Sequence, residues 1–88
     1  MDVIGSSKIL SFTKTFEYKL IPITAWFYDV QGQKWKNIED LKTRFPYCEV
    51  ISDRQVDFLI DNMSCRISAE INYEFQLVLI LEITCEKE

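Results

Sequence analysis

The sequence of 88 residues has no histidine, only two glycines and only two prolines. Without histidine, the chain lacks the side chain that most often moves protons near neutral pH and that most often joins cysteine in zinc sites. The two glycines, Gly5 and Gly32, stand too far apart to form a glycine-rich phosphate-binding loop. The sequence therefore excludes a histidine-based active site and a nucleotide-binding loop of the common kind.

Cysteine and long apolar runs are also scarce. The three cysteines, Cys48, Cys65 and Cys85, form no C-x-x-C pair, so we expect no metal, no other cofactor, and reduced cysteines that serve in packing. No stretch approaches the ~18 apolar residues of a membrane span, and the N-terminal residues lack the pattern of a secretory signal. We therefore expect a cytoplasmic protein that has no membrane partner.

The charge balance is acidic. Ten basic and fourteen acidic residues give a net charge of −4, which argues against strong non-specific binding to nucleic acid, because that binding rests on neutralising phosphates. The apolar content of 48% is typical of a globular protein. The length predicts one domain that covers residues 1–88.

The first half of the sequence has helical periodicity. After a short strand at residues 2–4, Ser6 and Ser7 are candidate N-caps of a first helix. The segment LIPITAWFYDV places apolar residues at i, i+3, i+4 and i+7, which predicts a second helix that ends at Gly32. Asn37 caps a third helix, NIEDLKTRF, which Pro46 ends.

From Tyr47 the period changes to two, so the sequence predicts an α+β fold. CEVI, QVDFLID and SCRISAEI read as strands, with turns at residues 61–63 and 72–74. Cys65, Ile67, Ala69 and Ile71 are expected to point inward. In the last strand, FQLVLILEIT, both faces are predicted to be apolar: Val78 and Ile80 lie on one face, and the other face carries Phe75, Leu77, Leu79, Leu81 and Ile83. That strand is either central and covered by the chain's own helices, or covered on one face by a partner.

The order of these elements resembles the HigB branch of the RelE-type toxins of bacterial toxin–antitoxin systems. The matching strings are AWFYDV, KWKNIEDLKTRFP and VISDRQVDFLIDNMSCRISAEINYEFQLVLI, and the resemblance covers roughly residues 2–83. It implies N-terminal helices packed on an antiparallel sheet of three to four strands.

The resemblance also implies a function. Such toxins are ribosome-dependent endoribonucleases that cut messenger RNA, and a cognate antitoxin with a helix-turn-helix domain silences them. The implied reaction is attack of a ribose 2′-hydroxyl on the adjacent phosphate, which needs a base, an acid and cationic donors but no metal. The implied partners are therefore that antitoxin and ribosome-bound messenger RNA.

One residue of the implied site is present. Arg66 stands where the family places an arginine on the sheet, and a guanidinium there could clamp a phosphate through two hydrogen bonds. The alternative interpretation is a surface arginine that forms an ion pair with Asp57 or Glu70, since strand alternation could place all three on one face.

The end of the sequence departs from the family pattern. Relatives carry a basic residue in the last strand and then T-H-x-E-Y, whereas this chain reads LEITCEKE. Aligned without a gap, Leu81 takes the basic position and Glu86 the histidine position. With one residue deleted, Thr84 meets the family threonine and Cys85 takes the histidine position. Under either alignment the histidine and the tyrosine are missing.

Some RelE-type enzymes use lysine, arginine and tyrosine instead of histidine, so the candidate catalytic set is Arg66, Lys87 and Tyr73. The candidate RNA-binding residues are Lys34 and Lys36, which flank an aromatic ring, together with Arg54. The ring between the two lysines, Trp35, is more simply a core residue.

Two hypotheses remain open. The chain is either a HigB-like toxin, active through an unusual residue set or weakened by sequence decay, or a catalytically silent binding module on the same scaffold. Such a module would dock an antitoxin-like partner or self-associate. An unrelated small-molecule enzyme has no supporting motif.

Overall fold

The computed structural model describes residues 1–86 and has an α+β architecture. Its elements are β1 (Asp2–Ile4), α1 (Ser6–Thr15), a 3-10 turn (Glu17–Lys19), α2 (Leu20–Gln31), α3 (Ile38–Arg44), β2 (Cys48–Val50), β3 (Gln55–Ile60), β4 (Cys65–Asn72) and β5 (Leu77–Cys85). The sheet order is β1-β5-β4-β3-β2. The predicted fold class is confirmed. The sheet is mixed and has five strands because the short β1 joins its edge parallel to β5.

Local signals in the sequence explain the ends of α2 and α3. The side chain of Asn37 accepts a hydrogen bond from the Asp40 amide at 3.0 Å, as expected of an N-cap. The amide of Gly32 donates to the carbonyls of Tyr28 and Asp29 and ends α2. No helix among the described residues is long and apolar enough to cross a membrane.

The start of α1 differs from the prediction. Gly5 is the N-cap, and Ser6 and Ser7 are already helical. Gly5 has a φ of 99°, a left-handed conformation that glycine adopts without steric cost, and a Cβ there would lie 3.3 Å from the Cβ of Ile80. Because the chain turns tightly from β1 into α1 at Gly5, the N-cap is Gly5 and not Ser6 or Ser7.

The core lies between the helices and one face of the sheet. The ring of Trp26 meets Phe58 edge-on at 5.3 Å, and Phe45 meets the same ring at 5.3 Å. The predicted inward residues of β4, Cys65, Ile67, Ala69 and Ile71, are each at most 1% exposed. Their alternation is therefore confirmed.

The final strand is central in the sheet, because β5 lies between β1 and β4, but the chain's own helices do not cover both of its faces. A register shift between Ser68 and Ala69 leaves Leu81 without a partner. This β-bulge reverses the alternation, so Ile80 and Ile83 both face the core, and Leu79 does not share a face with Ile83. The prediction of one continuous apolar face through these residues is wrong for this reason. Leu79 and Leu81 are each 38% exposed.

Two of the cysteines are paired, so the expectation of three reduced cysteines is wrong. Cys65 and Cys85 lie directly opposite each other on β4 and β5 and form a disulfide. The Glu86 amide donates to the Ser64 carbonyl at 2.8 Å. Because the backbone hydrogen bond joins these flanking residues, Cys65 and Cys85 form a non-hydrogen-bonded pair, the type whose side chains lie closer together. Cys48 is free, and burial raises the pKa of its thiol.

Candidate functional site at the Arg66 end of the sheet

Arg66 lies one residue into β4, directly opposite Thr84 on β5. The sheet therefore brings this arginine to the segment in which the family pattern carries its histidine, residues 84–86. We call this region, with Cys65 and the adjoining turn at residues 61–64, the Arg66 end.

A shallow cavity of about 310 Å³ opens at the Arg66 end. It is lined by Leu59, Met63, Ser64, Cys65, Arg66, Thr84, Cys85 and Glu86. Strands β3, β4 and β5 all contribute, together with the turn between β3 and β4. The cavity is therefore the place where Arg66 and a ligand could meet.

Carboxylates hold the guanidinium of Arg66. Its Nη1 donates to Asp57 Oδ2 at 2.7 Å and to Glu49 Oε2 at 2.9 Å, and its Nη2 donates to Glu49 Oε1 at 3.3 Å. The hydrogen bonds that Arg66 donates to Glu49 and then to Asp57 raise the pKa of Arg66. The predicted ion pair with Asp57 is present, while Glu70, the other candidate partner, is not paired with Arg66.

No pattern in the sequence points to Glu49 as a partner of Arg66. The residue pairs with Asp57 across β2 and β3, and Asp57 pairs with Ser68 across β3 and β4. This row places two carboxylates beside the diagonal neighbour Arg66, but only the register of a three-residue edge strand reveals it. Asp57 is 6% exposed, and its Oδ1 has no hydrogen-bond partner among the described residues.

A second cation supports the turn at the same end. Lys19, 3% exposed, reaches from the 3-10 turn and donates to Asp61 Oδ2 at 2.5 Å and to Ser64 Oγ at 3.0 Å. The hydrogen bonds from Lys19 and then Ser64 lower the pKa of Asp61. Asp61, Asn62 and Met63 all have positive φ, between 54° and 67°. The Lys19 ammonium therefore anchors a turn with an unusual backbone conformation.

The structure does not bring Tyr73 to Arg66. Tyr73 follows the far end of β4, seven residues from Arg66, which corresponds to roughly 20 Å along a strand. Its hydroxyl is buried without a hydrogen-bond partner among the described residues, and burial raises its pKa. Lys87, the third member of the candidate catalytic set, lies outside the described residues.

The candidate RNA-binding residues surround the opposite end of β4, which we call the Asn72 end. Lys34 and Lys36 line a cavity of about 370 Å³, with Trp35, Gln76, Met1 and Asp2. The carbonyl of Arg54 accepts from the Ile71 amide at 2.6 Å, which places its backbone at this end too. Trp35 is 2% exposed, so its interpretation as a core residue is confirmed.

A model of the HigB toxin family, described as the RelE-like toxic component of a toxin-antitoxin system, matches residues 20–88, most of the chain. The chain belongs to the HigB toxin family. No curated protein matches the chain significantly in sequence.

Family membership makes this HigB toxin one component of a toxin–antitoxin system, with an antitoxin as its implied partner. The matched range contains Arg66 and the whole of β5. The departure at residues 84–86 therefore lies within the family region, beside the arginine, and not in an added segment.

Proposed function

We propose that this HigB family member is a cytoplasmic, one-domain toxin, residues 1–88, whose ability to cut ribosome-bound messenger RNA is weakened or lost. Its partner is an antitoxin with a helix-turn-helix domain. The observation that carries the proposal is that Arg66 lies opposite Thr84, next to Cys85 and Glu86. One of these last two residues takes the histidine position of the family pattern under either alignment.

The first support is the missing proton-transfer group. Cleavage by a ribose 2′-hydroxyl needs one group that takes a proton and one that returns a proton to the leaving oxygen. Cys85 has no ionisable proton while its disulfide with Cys65 is intact. Thr84 offers only an alcohol, which is a weak acid and a weak base near pH 7. Glu86 offers a carboxylate, which repels the phosphate that it would have to approach.

The second support is the charge around Arg66. Two carboxylates hold the guanidinium, at 2.7 Å from Asp57 and 2.9 Å from Glu49, so the three side chains together carry one net negative charge. A phosphate would have to displace charge-assisted hydrogen bonds that are already made. Transition-state stabilisation depends on donors that stand ready for the developing charge, and here the donors are occupied.

Inducible expression in bacteria tests the proposal. We expect near-normal growth and intact transcripts for the wild-type chain, because the Arg66 end has, among residues 1–86, no histidine to transfer a proton. Glu86→His restores an imidazole at one of the two aligned positions and is expected to slow growth. Glu82→His, which lies in β5 and outside the lining of this cavity, is the matched control and should have no effect.

One outcome would contradict this proposal, and a variant would then locate the activity. Strong growth arrest with cut transcripts from the wild-type chain, relieved by co-expression of a helix-turn-helix antitoxin, would show a competent nuclease. Loss of that arrest in Arg66→Ala would then assign the activity to the Arg66 end, despite its carboxylate partners.

A silent binding module is the second candidate function, and the exposed apolar side chains favour it. Leu79 and Leu81 are each 38% exposed on the sheet, and Ile21 is 81% exposed on α2. Sedimentation of the purified chain, alone and with a co-expressed helix-turn-helix antitoxin, tests this candidate. A chain that stays monomeric and does not bind the antitoxin would contradict it.

A further inference from the structure

The Cys65–Cys85 disulfide has surroundings that RNA cleavage does not explain. Its two cysteines differ in access: Cys65 is 1% exposed, whereas Cys85 is only partly buried. Both line the cavity of about 310 Å³ at the Arg66 end. A small molecule that enters the cavity therefore meets the disulfide, with Cys85 as the more accessible half.

A polar chain lies behind the buried cysteine. Ser64 Oγ is 4.0 Å from Cys65 Sγ, within range of a weak hydrogen bond to sulfur, and Lys19 Nζ donates to the same Oγ at 3.0 Å. The hydroxyl has one proton, which is directed to the Asp61 carbonyl at 2.8 Å or the Asp61 carboxylate at 3.1 Å. If negative charge appears on Cys65 Sγ, rotation about the serine Cβ–Oγ bond brings that proton to the sulfur.

We propose that this disulfide is a site of thiol exchange, at which a low-molecular-weight thiol attacks Cys85 and Cys65 is the leaving group. The attacking thiolate forms a bond to Cys85 Sγ while the Cys65–Cys85 bond breaks, and the electron pair of that bond leaves on Cys65 Sγ. Departure is easier when the leaving thiolate is stabilised. Ser64, itself hydrogen-bonded to the Lys19 ammonium, supplies that stabilisation.

The first product is a mixed disulfide on Cys85 and a free thiolate on Cys65, which then takes a proton from water. A second molecule of the same thiol attacks the mixed disulfide and leaves two cysteine thiols, with the thiol reagent oxidised to its own disulfide. The covalent link between β4 and β5 beside Arg66 is lost, and Cys85 becomes a free thiol in the cavity.

The site of attack can be mapped in the full-length chain carrying Cys48→Ser, which removes the third cysteine. The folded protein is treated with reduced glutathione, quenched with N-ethylmaleimide, and analysed by peptide mass spectrometry. We expect glutathione on Cys85 and maleimide on Cys65. Glutathione on Cys65, or reaction only after the protein is unfolded in urea, would overturn the proposal.

The role of Ser64 can be measured in the same background. Ser64→Ala is expected to slow the opening of the disulfide by about fivefold, the effect of one hydrogen bond of ordinary net strength. Ser64→Thr keeps a hydroxyl and should restore most of the rate. Thr84→Val removes a hydroxyl elsewhere in the cavity and should change nothing. Equal rates for wild type and Ser64→Ala, with both chains folded by circular dichroism, would overturn the assignment of Cys65 as the stabilised leaving group.

Discussion

The two ends of β4 differ in whether their basic side chains form ion pairs with carboxylates. At the Arg66 end, Arg66 is paired with Glu49 and Asp57, and the Lys19 ammonium is paired with Asp61. At the Asn72 end, Lys34, Lys36 and Arg54 are exposed and have no ion pair within residues 1–86.

The difference shows that an arginine at the position where the family carries one does not by itself form an anion-binding site. A cation attracts a phosphate when its charge is unmatched and its donors are open. By that criterion the Asn72 end is the better candidate for RNA binding. At the Arg66 end, carboxylates already occupy the hydrogen-bond donors that a phosphate would need.

The largest effect is expected from the residue that anchors the Asn72 end. Trp35→Ala should reduce the free energy of unfolding by about 3–5 kcal/mol, because the buried ring packs against Phe45 and Phe58. Urea denaturation measures this loss. Tyr47→Ala, at an exposed aromatic, is the control and should change stability by less than about 0.5 kcal/mol. Equal losses in the two variants would refute the anchoring role.

At the Arg66 end, Arg66→Met should destabilise the fold, because it leaves the buried Asp57 carboxylate without its cation. The loss should be smaller than that of Trp35→Ala, since the Arg66 side chain is 41% exposed and water screens the pair. The double substitution Arg66→Met with Asp57→Leu should recover part of the loss, since it removes the unpaired charge. Thermal unfolding of the wild type, both single variants and the double variant closes the cycle. A double variant less stable than Arg66→Met would show that the ion pair is not the main interaction of these residues.

A smaller effect concerns acid stability. The pKa of Asp61 in the folded chain is lowered from the ordinary value of 3.8 by Lys19 and Ser64. Its contribution is therefore fully present above that value and is lost as the pH falls towards the folded pKa. Urea midpoints measured from neutral pH to about pH 2.5 should fall less steeply in Asp61→Asn than in the wild type. Parallel curves would contradict this contribution.

The smallest effect should appear in RNA binding. Lys34→Ala and Lys36→Ala should each lower the slope of log affinity against log salt concentration by about 0.7, the value for one phosphate contact on a single strand. Arg66→Ala should leave the slope unchanged, because its charge is matched. Fluorescence anisotropy with a labelled single-stranded RNA gives these slopes. A larger change for Arg66→Ala than for the lysines would reverse the comparison between the two ends.

Features that depend on local sequence could be predicted. The spacing of Ile23, Trp26 and Val30 predicted the buried face of α2, and Asn37 predicted the start of α3. The alternation of β4 was predicted because it follows a strict period of two, without a bulge in that strand. Arg66 could be predicted as a candidate site residue because the strings that resemble the family include an arginine at that position.

Features that depend on register between strands could not be predicted. The bulge at Leu81, the disulfide between Cys65 and Cys85, and the contact from Glu49 to Arg66 all require knowledge of which residues stand opposite each other. A slip of one residue would have sent each of these side chains to the other face. Tyr73 is a different case, because it follows the same strand that carries Arg66 and the length of β4, not the register between strands, separates the two residues.

Cleavage of messenger RNA on translating ribosomes by the purified chain tests the central claim most directly. Primer extension should show no cut sites beyond those of ribosomes alone, for the wild type and Arg66→Ala alike. The part of the Arg66 end that the structure describes has no histidine, and its cations are paired with carboxylates. Site-specific cuts made by the wild type and lost in Arg66→Ala would contradict the account.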